Sequence, residues 1–228
     1  MYLVLFDIDG TLLHSDGVGS SAMERAGRRV LGPSFSLAGI DFGGALDPWI
    51  YREAASRMGR DDAHQHHDAF HEAYLSELVL LLETRERVPR IVPGVEAALR
   101  GLAERAHTTL GLVTGNYAKA APLKLRAAGL DPSLFVLGAF GDDGPTRPDL
   151  VRLAIEKWAL RGALPDRRRV VVIGDTPRDV DCARQNGCRS IAVTTGRHTA
   201  AQLEAAGADE VVSDLGDLST LLDRLWSA

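Results

Sequence analysis

The chain has 228 residues, 45% of them hydrophobic and 25% charged, with a formal net charge of −5. That balance fits one large globular domain, or a core with an insertion, and excludes collagen-like, disordered and membrane-spanning classes. The acidic balance speaks against a nucleic-acid partner, which needs a basic face. The two cysteines, Cys182 and Cys188, are too few for a disulfide scaffold or a four-cysteine zinc site. No basic start or cleavage-type spacer precedes Asp7, and no apolar run nears the roughly 20 residues of a membrane helix. A cytoplasmic protein with no membrane partner is expected.

Residues 3–6 are a short continuous apolar run ending in acids and glycine, the pattern of a strand buried on both faces. Residues 20–31, 48–58 and 61–82 then read as helices, with no convincing strand up to about residue 90. An interruption of roughly 75 residues is far beyond ordinary loop length, so it reads as an inserted helical unit. Pro89, Pro93 and Gly94 mark the return. Strand-like runs follow at 109–113, 134–137, 170–173, 190–193 and 210–212. Helical patterns lie at 95–105, 117–128, 149–160, 178–186, 200–206 and 215–226. Strands alternating with helices predict an α/β fold: a Rossmann-like parallel sheet with helices on both faces, plus an all-helical insertion. The predicted division is 1–13 with 91–228 for the core and 14–90 for the insertion.

The chemistry gathers at strand ends, where open parallel sheets place ligands. Phe6-Asp7-Ile8-Asp9-Gly10-Thr11 follows the first strand. Residues two apart on an extended segment point the same way, so Asp7 and Asp9 converge and call for a cation or a proton. Thr114-Gly115-Asn116 supplies a hydroxyl and a flexible turn. A helix starting at Tyr117 would offer backbone N–H groups to a phosphate. Arg147 stands just before a helix, and Gly174-Asp175-Thr176-Pro177-Arg178-Asp179 adds two more acids. This set suits phosphoryl transfer. Asp7 is a candidate nucleophile, Asp9 a general acid and base, and Asp7 with Asp175 a magnesium site; Thr114, backbone N–H groups and Arg147 would meet the charge on the transferred group.

The chain resembles the haloacid dehalogenase superfamily, in its phosphoglycolate-phosphatase-like branch. Asp7-Ile8-Asp9-Gly10-Thr11 matches the first motif, Thr114 the second and Gly174–Asp179 the fourth, while Thr194-Thr195-Gly196 resembles the usual C-terminal segment. The resemblance implies that the insertion is a helical cap and that magnesium is held by the Asp7 carboxylate, the Asp9 main-chain carbonyl and Asp175. It also implies that Asp179 stands behind these ligands or reaches the metal through water, and that Thr114, Gly115 and Asn116 bind substrate. The third motif usually offers a lysine before proline. Here Arg147-Pro148 takes that place, and none of the three lysines (Lys119, Lys124, Lys157) falls there. Arginine stays charged and grips phosphate bidentately, so Arg147 is expected to bind substrate. The alternative is a surface residue at a helix start, with another cation completing the site.

The implied activity is a magnesium-dependent phosphatase acting on a small phosphorylated metabolite through an aspartyl-phosphate. A phosphomutase of the same superfamily and a non-catalytic binding module are the alternatives. A metal-free dehalogenase usually lacks the second acid, and a phosphonate hydrolase needs a cap lysine that residues 14–90 do not contain. Other signals are weaker. Gly17-Val18-Gly19-Ser20-Ser21-Ala22 matches a dinucleotide fingerprint but starts too far beyond the strand, and reads as a hinge. His64, His66, His67 and His71 read as a solvated helix face, although His67 and His71 share one side of a turn. Arg167-Arg168-Arg169 reads as a solvated loop. Gly43-Gly44-Ala45-Leu46-Asp47 and Arg52 could select substrate or be structural.

Overall fold

The computed structural model describes residues 1–162 and 166–227. Its main sheet has six parallel strands: β1 (Tyr2–Phe6), β4 (Thr108–Val113), β5 (Leu137–Ala139), β6 (Val170–Gly174), β7 (Arg189–Val193) and β8 (Glu210–Val212). They are ordered β5-β4-β1-β6-β7-β8, so β1 is central. Its continuous apolar run has a direct cause, because alternate side chains enter different cores. Val4 and Phe6 join one cluster with Val95, Leu99, Leu125 and Leu222. Leu3 and Leu5 join another with Leu150, Ala154, Ile155 and Trp158. The first of these faces is covered by α4 (Val95–Ala103), α5 (Ala121–Ala128) and α9 (Leu218–Ser227). The second is covered by α6 (Arg147–Ala159) and α7 (Pro177–Gln185), and α8 (Ala200–Ala205) precedes the edge strand β8. No described helix is long and apolar enough to cross a membrane.

Between β1 and β4 lie α1 (Val18–Leu31), α2 (Asp47–Arg57) and α3 (His67–Glu83). They share a separate core built on Phe35, Tyr51, Phe70 and Tyr74. Tyr51 and Phe70 stack with ring centroids 4.1 Å apart. Gly27 lets the Phe35 ring lie against α1, since a Cβ there would fall 2.1 Å from a ring carbon. Tyr117 and Ala120, from the segment after β4, complete this cluster.

Four local expectations need correction. The helix expected from Tyr117 begins at Ala121, because the Tyr117 ring is drawn into the insertion's core. The strand expected at 134–137 lies at Leu137–Ala139, preceded by a 3₁₀ turn over Pro132–Leu134 that the Asp131 side chain caps. The long helix expected over 61–82 is divided into a 3₁₀ turn, Ala63–His66, and α3. The insertion, read as free of strands, is tied off by a two-residue antiparallel ribbon: β2 (Leu13–His14) pairs with β3 (Arg90–Ile91). That ribbon is too short to leave a periodic signal.

Candidate active site

Strand register assembles the site. Phe6 pairs with Leu112 on one side and Ile173 on the other. The residues just beyond, Asp7, Thr114 and Asp175, therefore leave three adjacent strands at one sheet edge. All three side chains are buried. Asp7 is fixed by its own N–H, which donates to the Ile173 carbonyl at 2.9 Å.

Asp7, Asp175 and Asp179 form a tight acidic group, with one carboxylate oxygen of each within 4.8 Å of the others. Arg147 closes it. This first residue of α6 is 6% exposed, so it is not a surface helix start. Its Nη2 lies 3.1 Å from an Asp7 oxygen, and its Nε donates to Asp179 Oδ1 at 2.9 Å. Asp179 Oδ2 accepts from the Thr176 backbone N–H at 3.0 Å while the Asp179 N–H donates to Thr176 Oγ1 at 3.3 Å, the capping box of α7, and the Thr176 hydroxyl also donates to Asp179 Oδ2 at 2.7 Å. Asp179 is thus held by Arg147 and its own helix start, behind Asp7 and Asp175.

Burial pushes the Asp175 carboxyl up to about 8, with Asp179 and Asp7 adding repulsion and Arg147 opposing. Asp7 is pushed up to about 6 by burial, against the pull of Arg147. Such a set of crowded, hard oxygen donors fits a divalent cation of the magnesium type. The surrounding backbone leaves the carboxylates room. A Cβ on Gly10 would fall 2.5 Å from Asp175 Oδ2, and one on Gly196 1.7 Å from the same atom.

Asp9 has different neighbours. Its Oδ2 accepts from Asn116 Nδ2 at 2.7 Å and from Lys124 Nζ at 3.0 Å, and its Oδ1 from Lys124 at 3.2 Å. Burial works against the Asp9 charge, but Lys124 and the Asn116 amide outweigh it and hold the carboxyl below its ordinary range. Asn116 Nδ2 also donates to Thr114 Oγ1 at 2.8 Å, and its Oδ1 accepts from Lys124 at 2.5 Å. Lys124 lines the site and was not singled out by sequence reasoning. One signal was available: with Ala121 and Leu125 it lies on the buried stripe of α5, where a lysine is out of place without a partner.

The expected helix-start phosphate cradle at Tyr117 is absent. The Tyr117 N–H donates to Asp47 Oδ2 at 3.0 Å and the Ala118 N–H to Asp142 at 2.8 Å. Asp47 comes from the insertion, and its own N–H donates to the Gly115 carbonyl at 2.8 Å. At Gly115 the two parts approach closely, since a Cβ there would fall 2.0 Å from the Ala45 carbonyl oxygen. Burial pushes Asp47 up to about 6, with Lys124 opposing.

These groups line a cavity of about 520 Å³ that includes Asp7, Asp9, Thr114, Gly115, Asn116, Lys124, Arg147 and Asp175. From the insertion it takes Gly19, Gly43, Gly44 and Asp47; Arg52 is exposed and outside the lining. Gly17 is the left-handed residue that opens α1, and Gly19 packs on Lys124. His67 Nε2 lies 3.0 Å from the Tyr117 hydroxyl, and the His71 ring packs on Tyr117. His67 and His71, read as part of a solvated face, therefore belong to the contact between insertion and core, while Asp61, His64 and Asp68 on that segment are exposed.

The family model for "haloacid dehalogenase-like hydrolase" matches residues 1–187. A phosphoglycolate phosphatase of Vibrio cholerae is 28% identical over 229 residues, covering 95% of this chain and 94% of its own length. A plasmid-borne phosphoglycolate phosphatase of Cupriavidus necator is 31% identical over 227 residues, with coverage of 96% and 92%. A solved hydrolase from Pseudomonas syringae shares the fold with a TM-score of 0.71 at 22% identity, covering 98% of this chain and 99% of that one. A match across most of the sequence, joined to this strand-end geometry, makes the chain a member of the haloacid dehalogenase-like hydrolases, in the phosphoglycolate-phosphatase-like branch.

Proposed function

We propose that the chain is a magnesium-dependent phosphatase that hydrolyses a small phosphomonoester through an aspartyl-phosphate on Asp7, with residues 14–90 acting as a cap. The observation that carries this reading is Asp7 itself. It is a buried carboxylate at the end of the central strand, beside a buried guanidinium and two further acids. The phosphatase names of the curated relatives support it.

In this reading an Asp7 oxygen attacks phosphorus and the ester oxygen leaves, taking a proton from the protonated form of Asp9, while Lys124 and Asn116 favour the ionised form that the next step needs. Asp9 then removes a proton from water, which attacks the same phosphorus, releases phosphate and restores Asp7. Arg147 and Thr114 stabilise negative charge on the phosphoryl oxygens. Asp7, Asp175 and the Asp9 main-chain carbonyl would hold magnesium, with Asp179 orienting Arg147 behind them. When bound, the ion offsets acidic charge and polarises the phosphoryl group. The cap, docked on Gly115 through Ala45 and Asp47, keeps bulk water out.

Purified protein should release inorganic phosphate from a nitrophenyl phosphate with magnesium and lose that activity in excess chelator. An acid-labile phospho-enzyme should be trapped from wild type. Full activity in chelator would sink the magnesium part of the reading, and no phosphate release under any metal condition would sink the phosphatase.

A further inference from the structure

The Lys124 ammonium is buried, with its side chain 5% exposed. It contacts both Asp9 oxygens and the Asn116 amide oxygen, so its donors are directed at one short network. Burial disfavours its charge, but Asp9 and the cap residue Asp47 outweigh that and keep it protonated. The cap covers it closely: a Cβ on Gly19 of α1 would fall 2.9 Å from Nζ and 3.6 Å from the Tyr74 hydroxyl. Covering the ammonium lowers the polarity on its side of the contact, where the two charges attract more, while the Asp9 side chain stays 35% exposed.

We propose that Lys124 is a positioning residue that fixes the Asp9 carboxylate for catalysis, and that Gly19 is bare so that the cap can seal this contact. The inference rests on the phosphatase reading and assigns Lys124 no contact with the reacting atoms. The two cations of the site have separate partners. Arg147 holds Asp7 and Asp179, whereas Lys124 holds Asp9.

The test is a double-mutant cycle on nitrophenyl phosphate with saturating magnesium. Lys124→Met should lower kcat at least about tenfold, the scale of one charged hydrogen bond, with KM within about twofold. In an Asp9→Asn background the same change should cost less than about twofold, because its target is gone. Gly19→Ala, which keeps every charge but crowds Nζ, should lower kcat in the same direction by a smaller factor. It also serves as the reading if Lys124→Met does not fold. Equal losses from Lys124→Met in both backgrounds would overturn the proposal. So would a loss cured by more magnesium, or a wild-type kcat in Gly19→Ala alongside a non-folding Lys124→Met. A wild type that releases no phosphate would instead sink the phosphatase reading, which makes the two failures distinguishable.

Discussion

Asp7 and Asp9 stand two residues apart, yet they occupy opposite electrostatic regions. Around Asp7 the neighbours are Asp175 and Asp179, with Arg147 as a single cation between them. Around Asp9 they are Lys124 and the Asn116 amide, both donors. The first carboxyl is pushed up and the second is held down. Strand alternation makes the two converge without distinguishing them; the difference comes from what surrounds each, acids with one arginine around Asp7 and donors around Asp9. The acidic region is built from strand ends and helix starts of the core and meets the insertion where Arg147 Nη1 donates to the Gly44 carbonyl at 3.3 Å. The cationic one is shared with the insertion through Gly19 and Asp47.

The largest expected effect falls on Asp7, the proposed nucleophile. Asp7→Asn should reduce turnover to background and abolish the trapped phospho-enzyme while leaving the fold intact, as circular dichroism would check. Near-normal turnover would remove Asp7 from its role. Next comes the charge balance of the acidic region. Asp175→Ala should sharply raise the magnesium concentration needed for half activity, measured by titration, because Asp175 is the other carboxylate not enclosed by donors.

The effect of Arg147 is smaller. Arg147→Ala should lower the rate at least about tenfold, since a charge-assisted contact is worth about 1.5–3 kcal/mol. Arg147→Lys should recover part of it by keeping the charge without the fork. Steady-state kinetics on the two variants decides this, and an unchanged alanine variant would restrict Arg147 to holding Asp179.

The smallest effect sharpens the boundary between the regions. Asp47 has its pKa raised from 3.8 to about 6 by burial, so the folded protein binds that proton more tightly than the unfolded chain. The stability it contributes is present below about pH 4 and is lost as pH rises through about 6. Asp47→Asn should flatten that part of the Tm profile, read from pH 4 to 7 with magnesium present. A wild-type slope in the variant would remove Asp47 from the account.

What the sequence made legible follows from this division. Asp7, Thr114, Arg147 and Asp175 each end a strand or start a helix, and such positions carry local signals in apolar runs, Gly and Pro. Lys124 lies far from Asp9 along the chain, and only burial of its stripe distinguishes it from any helical lysine. The helix start at Tyr117 was misplaced because tertiary packing decided it: the ring belongs to the insertion's core and the N–H to Asp47. His67 and His71 misled in the same way, as polar-looking residues engaged by Tyr117.

The short ribbon at Leu13–His14 and Arg90–Ile91 bears on how the chain folds. Strands β1 and β4 are neighbours, with Tyr2 opposite Thr108, yet the whole insertion separates them in sequence. Pairing them directly would require closing that long loop at the transition state, the kind of non-local contact that slows folding. If α1 to α3 assemble first, the ribbon has already brought the flanking segments side by side, and only the stretch from Ile91 to Thr108 is left to close. Each halving of an open loop is worth only about 0.6 kcal/mol, so the ribbon acts on the order and speed of assembly far more than on final stability. In that order of assembly the insertion would fold ahead of the sheet it interrupts.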